Sequence, residues 1–210
     1  NLLWSSIDND TSRDLDQIEV AERVSNGDIR IMVGIADIDA FVAKLTPIDQ
    51  HAAHETTTVY TGICNFPMLP EQLSTGATSL LEDQNRLAVV IEFVVDSAGN
   101  LKSSDVYRAL VRNKAQLQYN SVGAWLEGNS GSPSKVAASA ELQDQLKLQS
   151  DVAQKLKSQR FLHGALNLQT DEVRPLVLND KVVDVVKQQK NQATELIEDF
   201  MVTANGVVAR

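Results

Sequence analysis

A single cysteine, Cys64, excludes an internal disulfide, so a reducing, cytoplasmic setting is the expectation. No secretory leader pattern is present. No apolar run is long enough to span a bilayer either, since the best candidate, Leu87 to Val95, is short and contains Glu92. We therefore expect a soluble chain with no membrane partner. Positive charge is also scarce: 19 Lys and Arg against 28 Asp and Glu give a formal charge of -9. That balance argues against a general nucleic-acid-binding surface, although it leaves room for a narrow basic channel beside an acidic site. Also absent are a P-loop, a dinucleotide-binding glycine fingerprint, a Gly-x-Ser-x-Gly elbow, a paired-cysteine metal motif and any internal repeat.

What is present is an acidic stretch. Ile7-Asp8-Asn9-Asp10-Thr11-Ser12-Arg13-Asp14-Leu15-Asp16-Gln17 carries four carboxylates, at positions 8, 10, 14 and 16. Apolar Leu2-Leu3-Trp4 precedes it and strand-like Ile18-Glu19-Val20-Ala21 follows, so the cluster reads as a loop anchored at both ends. Like charges a few ångströms apart repel, and in a water-poor site divalent cations normally supply the compensation. Carboxylates without nearby His or Cys suit Mg²⁺ or Mn²⁺ better than zinc. A solvated acidic loop, Asx-turns or a helix cap would use the same residues. A calcium loop competes as well: Asp8, Asp10, Ser12, Asp14 and Glu19 fall on EF-hand ligand positions. Against it, Arg13 stands where the turn needs glycine, and the flanks read as strands rather than helices.

With 43% hydrophobic residues, the chain can bury a substantial core, and one domain is the favoured reading. Ile18 to Val24 and Ile29 to Ile35 are β-prone runs about Asn26-Gly27, a hairpin signal. Asp37 and Asp39 follow, either near the acidic site or in a turn or cap. Thr46-Pro47 predicts a helix running to about Thr58. Its His51 and His54, with Cys64 and His163, make an incomplete zinc set and read as surface residues. Phe66-Pro67-Met68-Leu69-Pro70 must be extended. Arg86 to Asp96 and Leu101 to Arg112 predict two long strands about Gly99-Asn100. A short helix capped by Asn120 and burying Val122, Trp125 and Leu126 should end near Glu127, and a flexible loop spans Gly128 to Ser134. Val136 to Leu162 has helical spacing and ends before Gly164. Glu172 to Leu178 and Lys181 to Val186 predict a last hairpin about Asn179-Asp180. The final helix, about Asn191 to Val208, sets Leu196, Ile197 and Phe200 on an apolar face with Glu198 near its edge. Asn1 and Arg210 read as cut ends, so a piece of a longer protein is expected.

The motifs become more specific in sequence. Ser6-Ile7-Asp8 through Arg13-Asp14-Leu15-Asp16, then Gly34-Ile35-Ala36-Asp37, Thr58-Val59-Tyr60, Phe66-Pro67-Met68-Leu69-Pro70 and Glu198-Asp199-Phe200-Met201-Val202-Thr203-Ala204-Asn205 together resemble, in that order, the RNB catalytic domain of the ribonuclease II and ribonuclease R family. The resemblance covers nearly all of the chain. It implies an α+β fold, with a mixed, largely antiparallel sheet and surrounding helices enclosing a channel for single-stranded RNA. It also implies Mg²⁺-dependent 3′-to-5′ hydrolysis releasing nucleoside 5′-monophosphates, an RNA-degrading activity. Residues 1–210 would then be a single partial catalytic domain, truncated on its C-terminal side, with the rest of that domain and RNA-binding domains elsewhere in the parent chain.

By the same resemblance Asp8, Asp14 and Asp16 match the active-site aspartates, holding metal with Gln17 as a further ligand, and Glu198 matches an active-site acid. Tyr60 matches an aromatic stacking on a base near the RNA 3′ end, and Tyr119 matches one farther up the channel. Three departures stand out. Gln17 replaces a fourth aspartate, Leu168 falls about where a second stacking aromatic is expected, and the family's downstream arginine-containing segment is not reached. A catalytically silent RNA-binding or scaffold protein of the same fold is the alternative, with a calcium module third.

Overall fold

The computed structural model describes residues 2–61, 64–166, 173–178, 181–187 and 189–210. Its strands are β1 (Ser5–Asp8), β2 (Gln17–Arg23), β3 (Ile29–Ala36), β4 (Val59–Tyr60), β5 (Asn65–Phe66), β6 (Asn85–Val95), β7 (Leu101–Arg112), β8 (Ala115–Gln118), β9 (Val173–Leu178) and β10 (Lys181–Lys187). Its α-helices are α1 (Pro47–Glu55), α2 (Tyr119–Leu126), α3 (Ser134–Ala137), α4 (Ala140–Leu162) and α5 (Gln192–Val208). A six-stranded sheet in the order β7-β6-β3-β2-β1-β8 forms the centre. Every pairing in it is antiparallel except β1 with β8, which run parallel. The fold is therefore α+β with a mixed, mostly antiparallel sheet, as expected.

Strand alternation sends side chains to two apolar layers. Ile7, Ile29, Ile31, Val33, Ile91 and Phe93 face the helices, where they pack with Val122, Leu146, Val152, Leu196 and Phe200. Phe93 and Phe200 meet edge to face, with ring centres 6.3 Å apart, an arrangement worth about 0.5–1.5 kcal/mol beyond its burial. The opposite face buries Trp4, Ile18, Val20, Met32, Ala88, Val90 and Val111 with Leu15 and Leu80. Leu15 lies inside the acidic stretch, so that stretch is pinned to the second core layer. Beyond β1 the edge of β2 is covered by α4, where the Gln145 carboxamide bonds both the N–H and the carbonyl of Ala21.

Local signals account for most element ends. Gly27 (φ 88°) and Gly99 (φ 93°) close the β2–β3 and β6–β7 hairpins, in the left-handed backbone that favours glycine. Thr46 caps α1, but the helix stops at Glu55 rather than about Thr58, because Thr56 turns left-handed at φ 61°. The 136–162 stretch is two helices. Ser139 interrupts it and its hydroxyl accepts the Leu142 N–H, starting α4 afresh. Asn120 is not a cap: β8 ends at Gln118 and passes straight into α2, which makes no side-chain cap bond. Trp125 and Leu126 are only partly buried against the core. Strands β9 and β10 pair antiparallel as expected, while the turn at residues 179–180 lies outside the described residues. Among the described residues no helix is long and apolar enough to cross a membrane.

Asn191 joins two helices. Its Oδ1 accepts the N–H groups of Ala193 and Thr194 at 3.0 Å each, and its Nδ2 donates to the Tyr119 carbonyl at 3.1 Å. Its side chain fills the space beside Gly123, where an added Cβ would come within 2.4 Å of it. Asn191→Ala should cost about 2 kcal/mol, the upper end of the range for losing an N-cap, because the bond to α2 goes with it. Urea unfolding checks this.

Candidate active site

The two strands that carry the acidic stretch are neighbours. β1 and β2 run antiparallel with Ser5 opposite Glu19, so Asp8 at the end of β1 and Gln17 at the start of β2 lie at the same end of the sheet. Parallel β8 sets Gln118 beside Asp8, and Tyr119 opens α2 at that point. Residues 9–16 bridge the two strands. These flanking strands remove the helices that an EF-hand calcium loop requires.

Three aspartates share this end of the sheet. The Asp8 carboxyl is raised above its ordinary value, first by burial and also by Asp14, while bonds from Asn9 and Ser12 act in the opposite sense. Asp16 reaches solvent but is surrounded by protein; burial, then Asp14, then Asp8 push its carboxyl up to about 6. Tyr60 is 60% exposed, and its hydroxyl donates to Oδ2 of Asp14. Burial, that bond and the charges of Asp14, Asp16 and Asp8 raise its pKa. Tyr119, half-buried, is raised by burial and then by Asp8 and Glu19. Asp8, Asp14, Asp16, Tyr60 and Tyr119 thus lie in one electrostatic neighbourhood.

Other expected residues stand apart or turn elsewhere. Glu198 is exposed on α5 and pairs with Lys190 at 2.6 Å; it is not among the charges that act on Asp8 or Asp16. The Gln17 amide makes a long contact, 3.5 Å, to the Ile7 carbonyl. Asp10 is exposed. Asp37 is buried, caps a short 3-10 turn through the Ala40 N–H and pairs with Arg108, which also holds Asp39. That is the turn-and-cap reading. His51 and His54 lie exposed on α1, and His163 bonds the Gln159 carbonyl. Leu168 lies outside the described residues.

Two features had no sequence signal. The hydroxyl of Tyr60 on Asp14 joins residues 46 apart. Glu19 reads in the sequence as a polar strand position, yet it is fully buried, and neither of its oxygens has a hydrogen-bond partner among the described residues. Its carboxyl is raised well above the usual range by burial and then by Asp8. The Oγ of Ser5, directly opposite, is likewise buried without a partner.

The donor set suits a hard divalent cation. It consists of carboxylates, two of them pushed toward protonation by burial and by their neighbours, and no ion pair among the described residues neutralises them. Among the described residues, however, no three His, Cys, Asp or Glu side chains are grouped so as to hold a metal ion. The aspartates are neighbours without a closed coordination shell.

Comparison with known proteins gives a consistent family. Residues 1–210 match the RNB domain. Ribonuclease R of Thermotoga maritima is 33% identical over 206 residues, covering 97% of this chain and 28% of the relative. Ribonuclease R of Escherichia coli is 32% identical, covering 98% of this chain and 25% of the relative. The structure of Mycoplasma genitalium RNase R in complex with double-stranded RNA superposes with a TM-score of 0.90 at 29% identity, covering 100% of this chain and 36% of that one. Yeast Ssd1, described as a pseudonuclease, shares the fold, with a TM-score of 0.72 at 16% identity over 99% of this chain and 25% of its own. The chain thus spans about a quarter of the length of the two curated relatives. The chain belongs to the RNB domain family, and the curated relatives it matches are named ribonuclease R.

Proposed function

We propose that this chain is the aspartate-bearing part of a 3′-to-5′ exoribonuclease that hydrolyses single-stranded RNA to nucleoside 5′-monophosphates. The observation that carries the reading is the gathering of Asp8, Asp14 and Asp16 beside the exposed Tyr60, in a chain whose relatives are named ribonuclease R. Asp8, Asp14 and Asp16, with the Gln17 side-chain oxygen, would hold Mg²⁺ or Mn²⁺, which when bound activates water and stabilises the leaving oxygen. The chain's own residues would supply position. Tyr60 would offer a ring to the terminal base while its hydroxyl steadies Asp14, and Tyr119, near enough to Asp8 to feel its charge, would contact the strand farther from its end. Glu198 is proposed to act with the downstream part of the domain. RNA-binding domains elsewhere in the parent chain would deliver the strand.

A second reading has one observation in its favour, the neutral Gln17 where the family has an aspartate. It is a binding module of the same fold that keeps RNA and does no chemistry. A Mg²⁺-dependent time course of full-length protein on 3′-tailed RNA separates the two. Stepwise release of mononucleotides is expected; retained RNA with no product under any divalent metal selects the silent module.

Three outcomes follow for variants and conditions. Asp16→Asn should lower hydrolysis by roughly 10²–10³-fold or more with RNA binding kept, on the scale of losing one transition-state contact, whereas Gln17→Asp should maintain or raise the rate. Tyr60→Ala should weaken RNA retention by about 1–3 kcal/mol or lengthen the final product. Tyr60→Phe, which keeps the ring, should leave product length unchanged on a gel.

The third concerns pH. Asp16 binds its proton more tightly folded, at about 6, than at its ordinary value of 3.8, and Asp8 shifts in the same direction. Raising pH through roughly 4 to 6 strips protons that the fold favours, so the metal-free protein should lose stability across that window through these groups. Melting curves should show Mg²⁺ stabilising more at pH 7 than at pH 5. Equal stabilisation at both would separate the cation from these aspartates.

A further inference from the structure

The proposed ligands are split between two pieces of backbone, and the acidic stretch is poorly equipped to set their spacing itself. Between β1 and β2 it has no regular structure, and its own bonds, a 3.3 Å contact from Ser12 N to the Asn9 carbonyl and bonds from the Asn9 N–H and Ser12 to Asp8, all lie in its first half, before Asp14. Repulsion among Asp8, Asp14 and Asp16 acts to spread it.

The grip comes from elsewhere in the chain. The Ser79 hydroxyl donates to the Arg13 carbonyl at 2.8 Å and accepts the Leu15 N–H at 3.0 Å, so it holds the backbone on both sides of Asp14. Leu80 N–H adds a bond to the Leu15 carbonyl at 2.9 Å, one residue before Asp16. The Leu80 carbonyl in turn accepts from Asn113 Nδ2 at 2.9 Å, and the same amide donates to the Ser6 Oγ at 2.9 Å. Ser6 is in β1, two residues before Asp8. Ser6, Ser79, Leu80 and Asn113 are all at most 1% exposed. Hydrogen bonds shielded from water in this way are costly to break. Arg86 fastens the outer end, donating to the Ser79 carbonyl at 2.9 Å and to the Gly76 carbonyl at 3.2 Å across a π-helical turn, Gln72–Ala77.

We propose that Ser79 and Asn113 form a buried positioning tie that fixes Asp8 relative to Asp14 and Asp16, and so sets the affinity of this site for a divalent cation. This rests on the metal-binding reading above. Neither residue touches the reacting groups; each acts through the aspartate backbone. Ser79 is chemically suited to the task because one hydroxyl both donates and accepts. Alanine cannot reproduce either bond, whereas threonine keeps the hydroxyl. Asn113 is suited because one amide nitrogen spans two pieces of chain while its Oδ1 accepts the Ala115 N–H at 3.1 Å.

The test is Mn²⁺ binding to the full-length protein without RNA, read by the loss of free-ion electron paramagnetic resonance signal at a temperature well below each variant's melting. Ser79→Ala and Asn113→Ala should each weaken Mn²⁺ binding by about 10–100-fold, the range seen when residues supporting metal ligands are lost, and Ser79→Thr should restore most of it. Phe200→Leu, in the core layer on the opposite face, should lower melting without moving Mn²⁺ affinity. If Ser79→Ala does not fold, the milder Arg86→Gln decides, with weaker Mn²⁺ binding expected. Folded Ser79→Ala or Arg86→Gln with unchanged Mn²⁺ affinity would overturn the inference and leave the nuclease reading intact. No Mn²⁺ binding by the unmodified protein, either alone or with a non-hydrolysable RNA, would overturn both. Normal Mn²⁺ behaviour in all variants with no RNA hydrolysis by the unmodified protein would defeat both separately.

Discussion

Repulsion among three aspartates is the constraint around which this end of the sheet is arranged. Asp8 and Asp16 are raised in pKa by burial and by neighbouring carboxylates, so bringing them together opposes folding once they ionise. That cost has to be carried by packing elsewhere. Leu15, between Asp14 and Asp16, is 1% exposed and buried in a layer with Trp4, Ile18 and Leu80. Fully burying a leucine contributes about 1.5–3 kcal/mol, enough to offset a modest electrostatic penalty. Apolar anchoring of one residue therefore directs its two charged neighbours away from the core.

The parallel β1–β8 pairing does the complementary work. Ser5 through Asp8 match Ala115 through Gln118 residue for residue, which sets the depth at which β1 stops and Asp8 emerges. The chain then turns directly into α2, so Tyr119 is delivered beside Asp8 by strand register rather than by a loop. Asn191 closes the arrangement from α5 by bonding the Tyr119 carbonyl. A rigid sheet end and two helices thus support Asp8, while Asp14 and Asp16 sit on irregular backbone that depends on distant residues for its shape.

That division explains what was legible in the sequence. Asn26-Gly27 and the Thr46-Pro47 start are local devices, and the structure realises them at those residues. The acidic stretch was visible as composition, and ordered motifs made Tyr60 a site candidate before its hydroxyl was seen on Asp14. The rest is non-local. Nothing in Asn113 alone signals a bond to Ser6, 107 residues away, and nothing in Ser79 signals one to Arg13. Glu19 shows the same limit in reverse. Alternation marks it as polar, but it is fully buried in the folded chain, and packing around the strand overrides the pattern. The Ser139 break was missed for a simpler reason: apolar spacing continues through 136–162, and a serine cap within it reads equally well as a polar helix position.

Gln17 and Glu19 bear on the proposed chemistry through charge. Glu19 is buried with neither oxygen partnered among the described residues, and burial raises its carboxyl well above the usual range; an unpaired ionised carboxylate is costly to bury, so Glu19 is poorly suited to replace the charge that Gln17 lacks. Asp8, Asp14 and Asp16 then contribute at most three negative charges. Two divalent cations, the number used in paired-metal phosphoryl chemistry, would exceed this by one positive charge, and a single RNA phosphodiester supplies one negative. On the proposed reading, a fourth aspartate would balance the cations before RNA arrives, whereas glutamine leaves the balance to be completed by the substrate. The neutral side chain at position 17 would therefore weaken the resting hold on metal more than the hold in an RNA-bound complex. On the same reading, glutamine would be compatible with hydrolysis because the missing charge is one that an RNA phosphate would bring.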